Sequence, residues 1–353
     1  MTILITGAAG FVGSKMAAYF RAADKHAVLI GIDNLSRKGS EHNIEKLKAL
    51  GCTFYKGDIS VQHDIDALPK VDWVIDCAAN PSVLAGLNGD TMRLVNDNLI
   101  GTICLLEKCK RDNAGFIMLS TSRVYSIAAL NDVPLQTNKE SYSIASAKKF
   151  PIGFSEKGVA EDFSTVSPIS LYGATKLTSE VLAMEYHHTF GFPVWINRCG
   201  VIAGAGQFGK IDQGIFSFWI YQYLLQKPLS FIGFGGIGLQ ARDLFHPKDV
   251  FAMVQQQMNQ PIEISPRIMN LGGGVENTYS LAQLDAFCKM NIDKNKIINT
   301  IAENRSFDIP LYVTDYSLAE KIWNWKPTIS GEEILFEILA YANDNIEHIK
   351  SIS

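Results

Sequence analysis

The sequence predicts an α/β protein, a doubly wound parallel sheet followed by a smaller C-terminal lobe. Three observations carry that prediction. Short apolar runs of strand length alternate with amphipathic stretches of helix length through the first half, and a glycine-rich turn follows the first run directly. Beyond residue 199 the texture changes: glycines crowd residues 200–240, scattered apolar segments follow, and a helical stretch closes the chain.

The strand-length runs are 2–6, 27–32, 53–56, 73–77, 116–120 and 194–197. Between them, stretches such as 13–22 and 98–110 carry apolar residues at helical spacing and are long enough to cross from one strand to a parallel neighbour. Residues 1–198 are therefore expected to form the sheet domain, with a segment near 240–262 returning to it. Residues 199–353 are expected to form mainly a substrate lobe over the carboxyl edge of the sheet, where ligands of such folds bind. The most apolar stretch, 214–225, contains Tyr221 and Gln222 and falls short of the roughly 20 residues of a bilayer span, so a buried helix is expected there. Residues 332–343 read as a C-terminal helix.

With 47% hydrophobic and 19% charged residues in 353, the chain can build a sizeable core and is not of disordered composition. Its 32 basic and 36 acidic residues leave a formal charge of -4 with no long run of either sign, which argues against nucleic acid as a partner. The six cysteines (Cys52, Cys77, Cys104, Cys109, Cys199, Cys288) form no CxxC pair and have no histidine at metal-ligand spacing. No metal centre is expected, and the thiols read as those of a reduced, cytoplasmic protein. Gly7 interrupts the apolar start at once, so neither an export signal nor a membrane segment is expected.

Gly7-Ala8-Ala9-Gly10-Phe11-Val12-Gly13 follows the first strand and opens a helical stretch. Glycines there let backbone N–H groups and the helix start approach a pyrophosphate, as in a Rossmann-type dinucleotide site. The second strand ends at Asp33, whose carboxylate can accept hydrogen bonds from ribose hydroxyls and so favours NAD; Arg37 beside it could instead receive the 2′-phosphate of NADP. The third strand ends in Gly57-Asp58-Ile59, at the expected adenine edge.

Tyr172-Gly173-Ala174-Thr175-Lys176 puts a phenol and an ammonium on one helix face. A phenol titrates near 10, and an adjacent cation favours its phenolate, so Tyr172 could act as a base near neutrality.

Together with Asp33, Asp58 and Thr121 in Leu119-Ser120-Thr121-Ser122-Arg123-Val124-Tyr125, these motifs resemble the extended short-chain dehydrogenase/reductase family, specifically its nucleotide-sugar epimerases and dehydratases. Residues 98–107 (NxxGTxxLLE), Arg198, Arg242-Asp243, 270–274 and Trp325-Lys326-Pro327 extend the resemblance over nearly the whole chain. It implies an NAD-dependent enzyme that oxidises a sugar carbon to a transient ketone and returns hydride to the opposite face. Tyr172 would be the base, Thr121 would bond the reacting oxygen, and Lys176 would hold the nicotinamide ribose. It implies cofactor contacts at Gly7, Gly10, Phe11, Val12, Gly13, Asp33, Asn34, Ser36, Arg37, Asp58, Ile59, Ala78, Ala79 and Asn98, with Ser36 and Arg37 around the ribose of NAD.

Within the family, 33–39, 206–214 and 270–281 most resemble the CDP-paratose 2-epimerase branch, which implies a CDP-linked sugar substrate. Ser122-Arg123 replace the acid and base that dehydratases carry after the threonine, so dehydration is disfavoured. Arg242 and Arg305 are expected near the substrate pyrophosphate, and Gln207 and Asp212 near its hydroxyls or nucleotide. A homodimer is implied by family alone. A UDP-sugar 4-epimerase, a net oxidoreductase and a non-enzymatic NAD sensor stay open as rivals. Asp76 departs from the histidine that many relatives carry before the Ala-Ala pair. His187, His188, His246, Trp323 and Trp325 read as structural.

Overall fold

The computed structural model describes residues 1–85, 87, 89–210, 213–260 and 264–352. Seven strands make one sheet, in the order Ile268–Leu271, Val194–Cys199, Gly115–Thr121, Trp73–Asp76, Thr2–Thr6, Val28–Asp33, Cys52–Lys56. The chain builds outward from Thr2–Thr6 to Cys52–Lys56 and then returns to Trp73–Asp76 on the other side. That reversal leaves a crevice at the carboxyl ends of Thr2–Thr6 and Trp73–Asp76, where open α/β sheets bind ligands. Pairing across it is parallel, from Ile3 with Trp73 to Thr6 with Asp76. Thr2–Thr6 also pairs in parallel with Val28–Asp33, which in turn pairs with Cys52–Lys56. Consecutive Ile3, Leu4 and Ile5 point to alternate faces and are all fully buried, so both faces of the central strand are covered.

The helix expected at 98–110 is the end of a longer run: Thr91–Val95, one π-helical turn at Asn96–Ile100, then Gly101–Asp112. The widened turn leaves the Asn98 carbonyl to accept from the Thr102 hydroxyl at 2.8 Å and the Ser179 hydroxyl at 3.2 Å.

The chain forms two compact units. Met1–Thr121, Leu171–Arg198 and Val250–Met269 make the first; Ser122–Ser170, Cys199–Asp249 and the chain from Asn270 onward make the second. The division expected at 198 assigns Ser122–Ser170 to the first unit, whereas the fold assigns it to the second. Its two hairpins, Leu135–Thr137 with Tyr142–Ile144 and Phe154–Ser155 with Gly158–Val159, explain the difference. Leu135, Tyr142 and Ile144 pack on Ala241, Leu311 and Val313, all within the second unit. The returning segment is likewise Val250–Met269 rather than 240–262, because Ala241–Phe245 pairs with Val201–Ile202, Thr278–Ser280 and Leu311–Tyr312.

In the second unit, Ile215–Leu224 is the expected buried helix, and its Phe216, Trp219 and Ile220 share a core with Leu284, Ile334, Leu335 and Ile338. Gly331–Asp344 is the expected C-terminal helix, started by a capping box between Ser330 and Glu333.

Asp243 sits fully buried in this unit and accepts from Gly273 N at 2.8 Å and Gly274 N at 3.3 Å. Burial lifts its carboxyl from 3.8 to about 6 despite those donors. A carboxyl raised in the folded state favours folding while protonated, so that stability is present below about pH 4 and lost as pH rises through about 6. Between those values the protein is expected to lose up to about 1.4 kcal/mol per pH unit relative to Asp243→Asn, read from unfolding midpoints; parallel curves would contradict this.

Candidate active site

The glycine turn is shaped by backbone proximity. Gly7 has φ +58°, and a Cβ there would lie 3.0 Å from both Ala78 Cα and Cys77 O across the crevice. A Cβ on Gly13 would lie 2.2 Å from Gly7 O, so only hydrogen fits between strand end and helix. Gly10 N donates to Gly7 O at 2.9 Å and closes the turn. The helix Phe11–Ala23 starts here without a side-chain cap or an acidic residue in its first turn, leaving its first N–H groups for an anion. Phe11 and Val12 form that first turn, half-buried.

Asp33 holds this turn. Its Oδ2 accepts from Ala9 N at 3.0 Å and its Oδ1 from Leu35 N at 2.8 Å. Burial pushes its carboxyl up, while the amides of Leu35, Ala9 and Gly10 push back. A carboxylate offers about four lone-pair sites, so two such bonds leave capacity for ribose hydroxyls. From the next helical segment, buried Asn43 donates to Ala9 O at 2.9 Å, a support that the sequence reading missed.

Asn34 donates to Asp58 Oδ2 at 2.9 Å, and Ser36 N donates to Asn34 Oδ1 at 3.0 Å. Burial raises Asp58, but Asn34 and the two donors of Ser60 outweigh it and hold the carboxyl below its usual range. Ser36 is exposed and Arg37 half-buried, while Ile59 is 8% exposed and belongs to the core.

At the crevice, the Thr6 hydroxyl donates to Asp76 Oδ1 at 2.7 Å and accepts from Cys77 N at 3.1 Å and Ala78 N at 3.0 Å. Ala78 is half-buried and Ala79 exposed. Asn98, expected at the cofactor, is 2% exposed and committed to the protein. It accepts from Asn80 N at 2.7 Å and donates to Asn80 O and Thr175 Oγ1, each at 3.2 Å. It thus ties the loop after Ala79 to the helix that carries Tyr172 and Lys176.

That helix, Ser170–Phe190, presents Tyr172 at 6% and Lys176 at 1% exposure, one turn apart. Thr121 ends the strand Gly115–Thr121 and is also buried. A buried brace joins strand and helix: the Ser120 hydroxyl donates to Glu180 Oε1, and Arg198 donates through Nε at 3.0 Å and Nη2 at 2.7 Å to Glu180 Oε2. The sequence reading missed this role for Ser120 and Glu180. The available signal was the spacing, since Glu180 lies four residues after Lys176 and eight after Tyr172, on the same face.

The expected substrate residues lie in the second unit. Arg242 donates to Asp308 Oδ1 at 3.1 Å, Ile309 O at 2.7 Å and Ala241 O at 2.7 Å. Burial lowers its pKa to about 10; Asp308 opposes the fall, while neighbouring Arg123 and Arg305 add to it. Arg123 donates to Phe307 O at 3.4 Å, so three guanidinium groups gather around residues 305–310. Gln207 is used at both ends, donating to Ile202 O at 2.7 Å and accepting from Ser217 Oγ at 2.9 Å, and so braces its own loop. Asp212 lies outside the described residues.

The structural readings of the other side chains agree with their surroundings. A His187 ring nitrogen meets Phe192 O at 2.8 Å, His246 faces Glu337 at 2.9 Å, and Trp325 Nε1 donates to Asp249 O at 2.8 Å.

A model of the NAD dependent epimerase/dehydratase family matches residues 3–272. The chain belongs to that family. Among members of the NAD dependent epimerase/dehydratase family, it is 29% identical to UDP-glucuronate 4-epimerase of Thermodesulfobacterium geofontis, over 99% of the chain and 98% of the relative. It is 28% identical to CDP-paratose 2-epimerase of Salmonella typhi, over 94% of the chain and 96% of the relative. A UDP-glucuronic acid 4-epimerase from Bacillus cereus, solved with UDP-glucuronic acid and NAD, matches at a TM-score of 0.79 and 26% identity, covering 98% of this chain and 99% of that one.

NAD is the cofactor of this epimerase/dehydratase family, and the residues present fit it. The closeness of Gly7 to Ala78 and of Gly13 to Gly7 leaves the crevice free of Cβ atoms, and Asp33 stands at the end of the second strand. Among the described residues, no helix is long and apolar enough to cross a membrane.

Proposed function

We propose that this chain is a nucleotide-sugar epimerase that inverts a sugar carbon by transient oxidation, with a CDP-deoxyhexose inverted at carbon 2 as its first candidate substrate. The observation that carries this reading is the buried Tyr172 and Lys176 on one face of Ser170–Phe190, braced to the strand that ends at Thr121. NAD, when bound, supplies a reversible hydride acceptor. Tyr172 removes the proton of the substrate hydroxyl as it becomes a carbonyl and gives it back on reduction. The ammonium of Lys176 favours the phenolate, and Thr121 hydrogen-bonds the reacting oxygen. Ser122-Arg123 follow Thr121 without a carboxylate, so the acid–base pair that expels water from a sugar is not supplied there. Arg242 and Arg305 are the proposed cations for the diphosphate.

The CDP assignment rests on the sequence segments 33–39, 206–214 and 270–281. A UDP-sugar 4-epimerase is the second reading, favoured by the full-length similarity to the Thermodesulfobacterium geofontis and Bacillus cereus enzymes. Thermal unfolding with CDP, UDP, GDP and dTDP added separately tests both. A nucleotide at about 100 times its Kd stabilises the folded state by about 2.7 kcal/mol. Selective stabilisation by CDP is expected; selective stabilisation by UDP transfers the proposal to the 4-epimerase, and no response to any of the four contradicts a nucleotide-sugar substrate.

The reading includes a cytoplasmic homodimer. Met92 at 67% and Ile100 at 36% exposure on Thr91–Asp112, with Val181 at 57% on Ser170–Phe190, supply apolar surface for a second copy. Light scattering is expected to give twice 39.0 kDa, and a stable 39.0 kDa species at working concentration refutes the dimer.

A further inference from the structure

Asp76 ends the strand beside the crevice and is 1% exposed. Its Oδ1 accepts from Thr6, but its Oδ2 has no hydrogen-bond donor although it is buried. A buried carboxylate oxygen in that position is costly unless a charge answers it. The cation coupled to Asp76 is Lys176, itself 1% exposed, reaching in from Ser170–Phe190. The other titratable group coupled to it is Cys109 on Gly101–Asp112, whose thiol burial holds far above its ordinary range. Burial also pushes the Asp76 carboxyl up, while Lys176, the Thr6 hydroxyl and the Ala78 amide push it back. The preceding Val74 and Ile75 are apolar and fully buried, so strand packing does not call for a carboxylate here.

We propose that Asp76 is a positioning residue for the Tyr172–Lys176 pair: its unpartnered Oδ2 is the counter-charge that holds the Lys176 ammonium and limits how strongly that ammonium favours the Tyr172 phenolate. This rests on the role given above to Tyr172 and Lys176. Because Thr6 bonds Asp76 and receives the amides of Cys77 and Ala78, the same carboxylate links the lysine to the crevice loop.

The test is a pH titration of tyrosinate absorbance on the full-length, NAD-loaded protein, with the Tyr172 component defined as the part missing from Tyr172→Phe. Asp76→Asn keeps shape and an acceptor for Thr6 but removes the charge, and is expected to move the Tyr172 component about one unit to lower pH. Thr6→Val keeps the carboxyl and withdraws its donor, and is expected to move the component the same way by less. A purely structural role would lower the unfolding temperature and leave the titration in place. An unmoved component, or one displaced to higher pH, in folded Asp76→Asn overturns the proposal; if that variant does not fold, the same result in Thr6→Val does. Absence of any Tyr172 component in the unsubstituted protein has a different signature and overturns the tyrosine-base reading together with this one.

Discussion

Tyr172→Phe is expected to lower turnover by about 10²–10⁴-fold while NAD stays bound, the range expected when a positioned acid–base group is removed. The substitution deletes one oxygen and keeps a ring that is 6% exposed, so the packing of Ser170–Phe190 is preserved. The cofactor contacts argued for the glycine turn and Asp33 lie on other elements and are untouched. The check is kcat on whichever nucleotide sugar is accepted, together with the molar ratio of NAD released on denaturation. Full activity in this variant would remove Tyr172 from the chemistry; loss of NAD along with activity would assign it to cofactor binding instead.

Glu180→Ala is expected to cost about 3–5 kcal/mol, because it strands the Arg198 guanidinium in the interior. Arg198 and Glu180 have side-chain exposures of 7% and 2%, and their two oxygens also serve Ser120. Replacing both partners with apolar residues of similar volume, as in Glu180→Leu with Arg198→Met, should recover most of the loss, since an ion pair of this kind adds little net stability over a packed core. Denaturant titration reads the difference. A loss below about 1 kcal/mol in the single variant would mean that water or another residue replaces the carboxylate. Activity should fall in the double variant even where stability returns, because the tie between Ser120 and the helix of Tyr172 and Lys176 is gone.

Much of the first unit was legible in the sequence because its signals are local. Strands such as Thr2–Thr6 are continuous apolar runs, the glycine turn is read from spacing, and Tyr172 and Lys176 fall on one helix face by periodicity alone. The hairpins within Ser122–Ser170 were not legible: strands of two or three residues carry no period, and their partners lie more than 150 residues away, at Leu311 and Val313. Side-chain commitments were also hidden. Asn98 and Gln207 looked like ligand contacts as isolated polar residues, yet their bonds run to Asn80, Thr175, Ile202 and Ser217. Arg242 was expected as a cation for phosphate, and the structure adds that it anchors Asp308 and Ile309. The brace of Ser120, Glu180 and Arg198 escaped notice because it joins a strand end, a helix interior and a second strand that sequence order keeps far apart.

The most direct test of the central claim follows the hydrogen on the inverted carbon. CDP-paratose deuterated at carbon 2 and UDP-glucuronic acid deuterated at carbon 4 are each incubated with the NAD-loaded protein, and the products are read by mass spectrometry and NMR. Transient oxidation within one site predicts that one of the two gives its epimer with deuterium retained on the same carbon and no NADH accumulating. Loss of that deuterium to water, stoichiometric NADH, a dehydrated product, or conversion of neither sugar would contradict it.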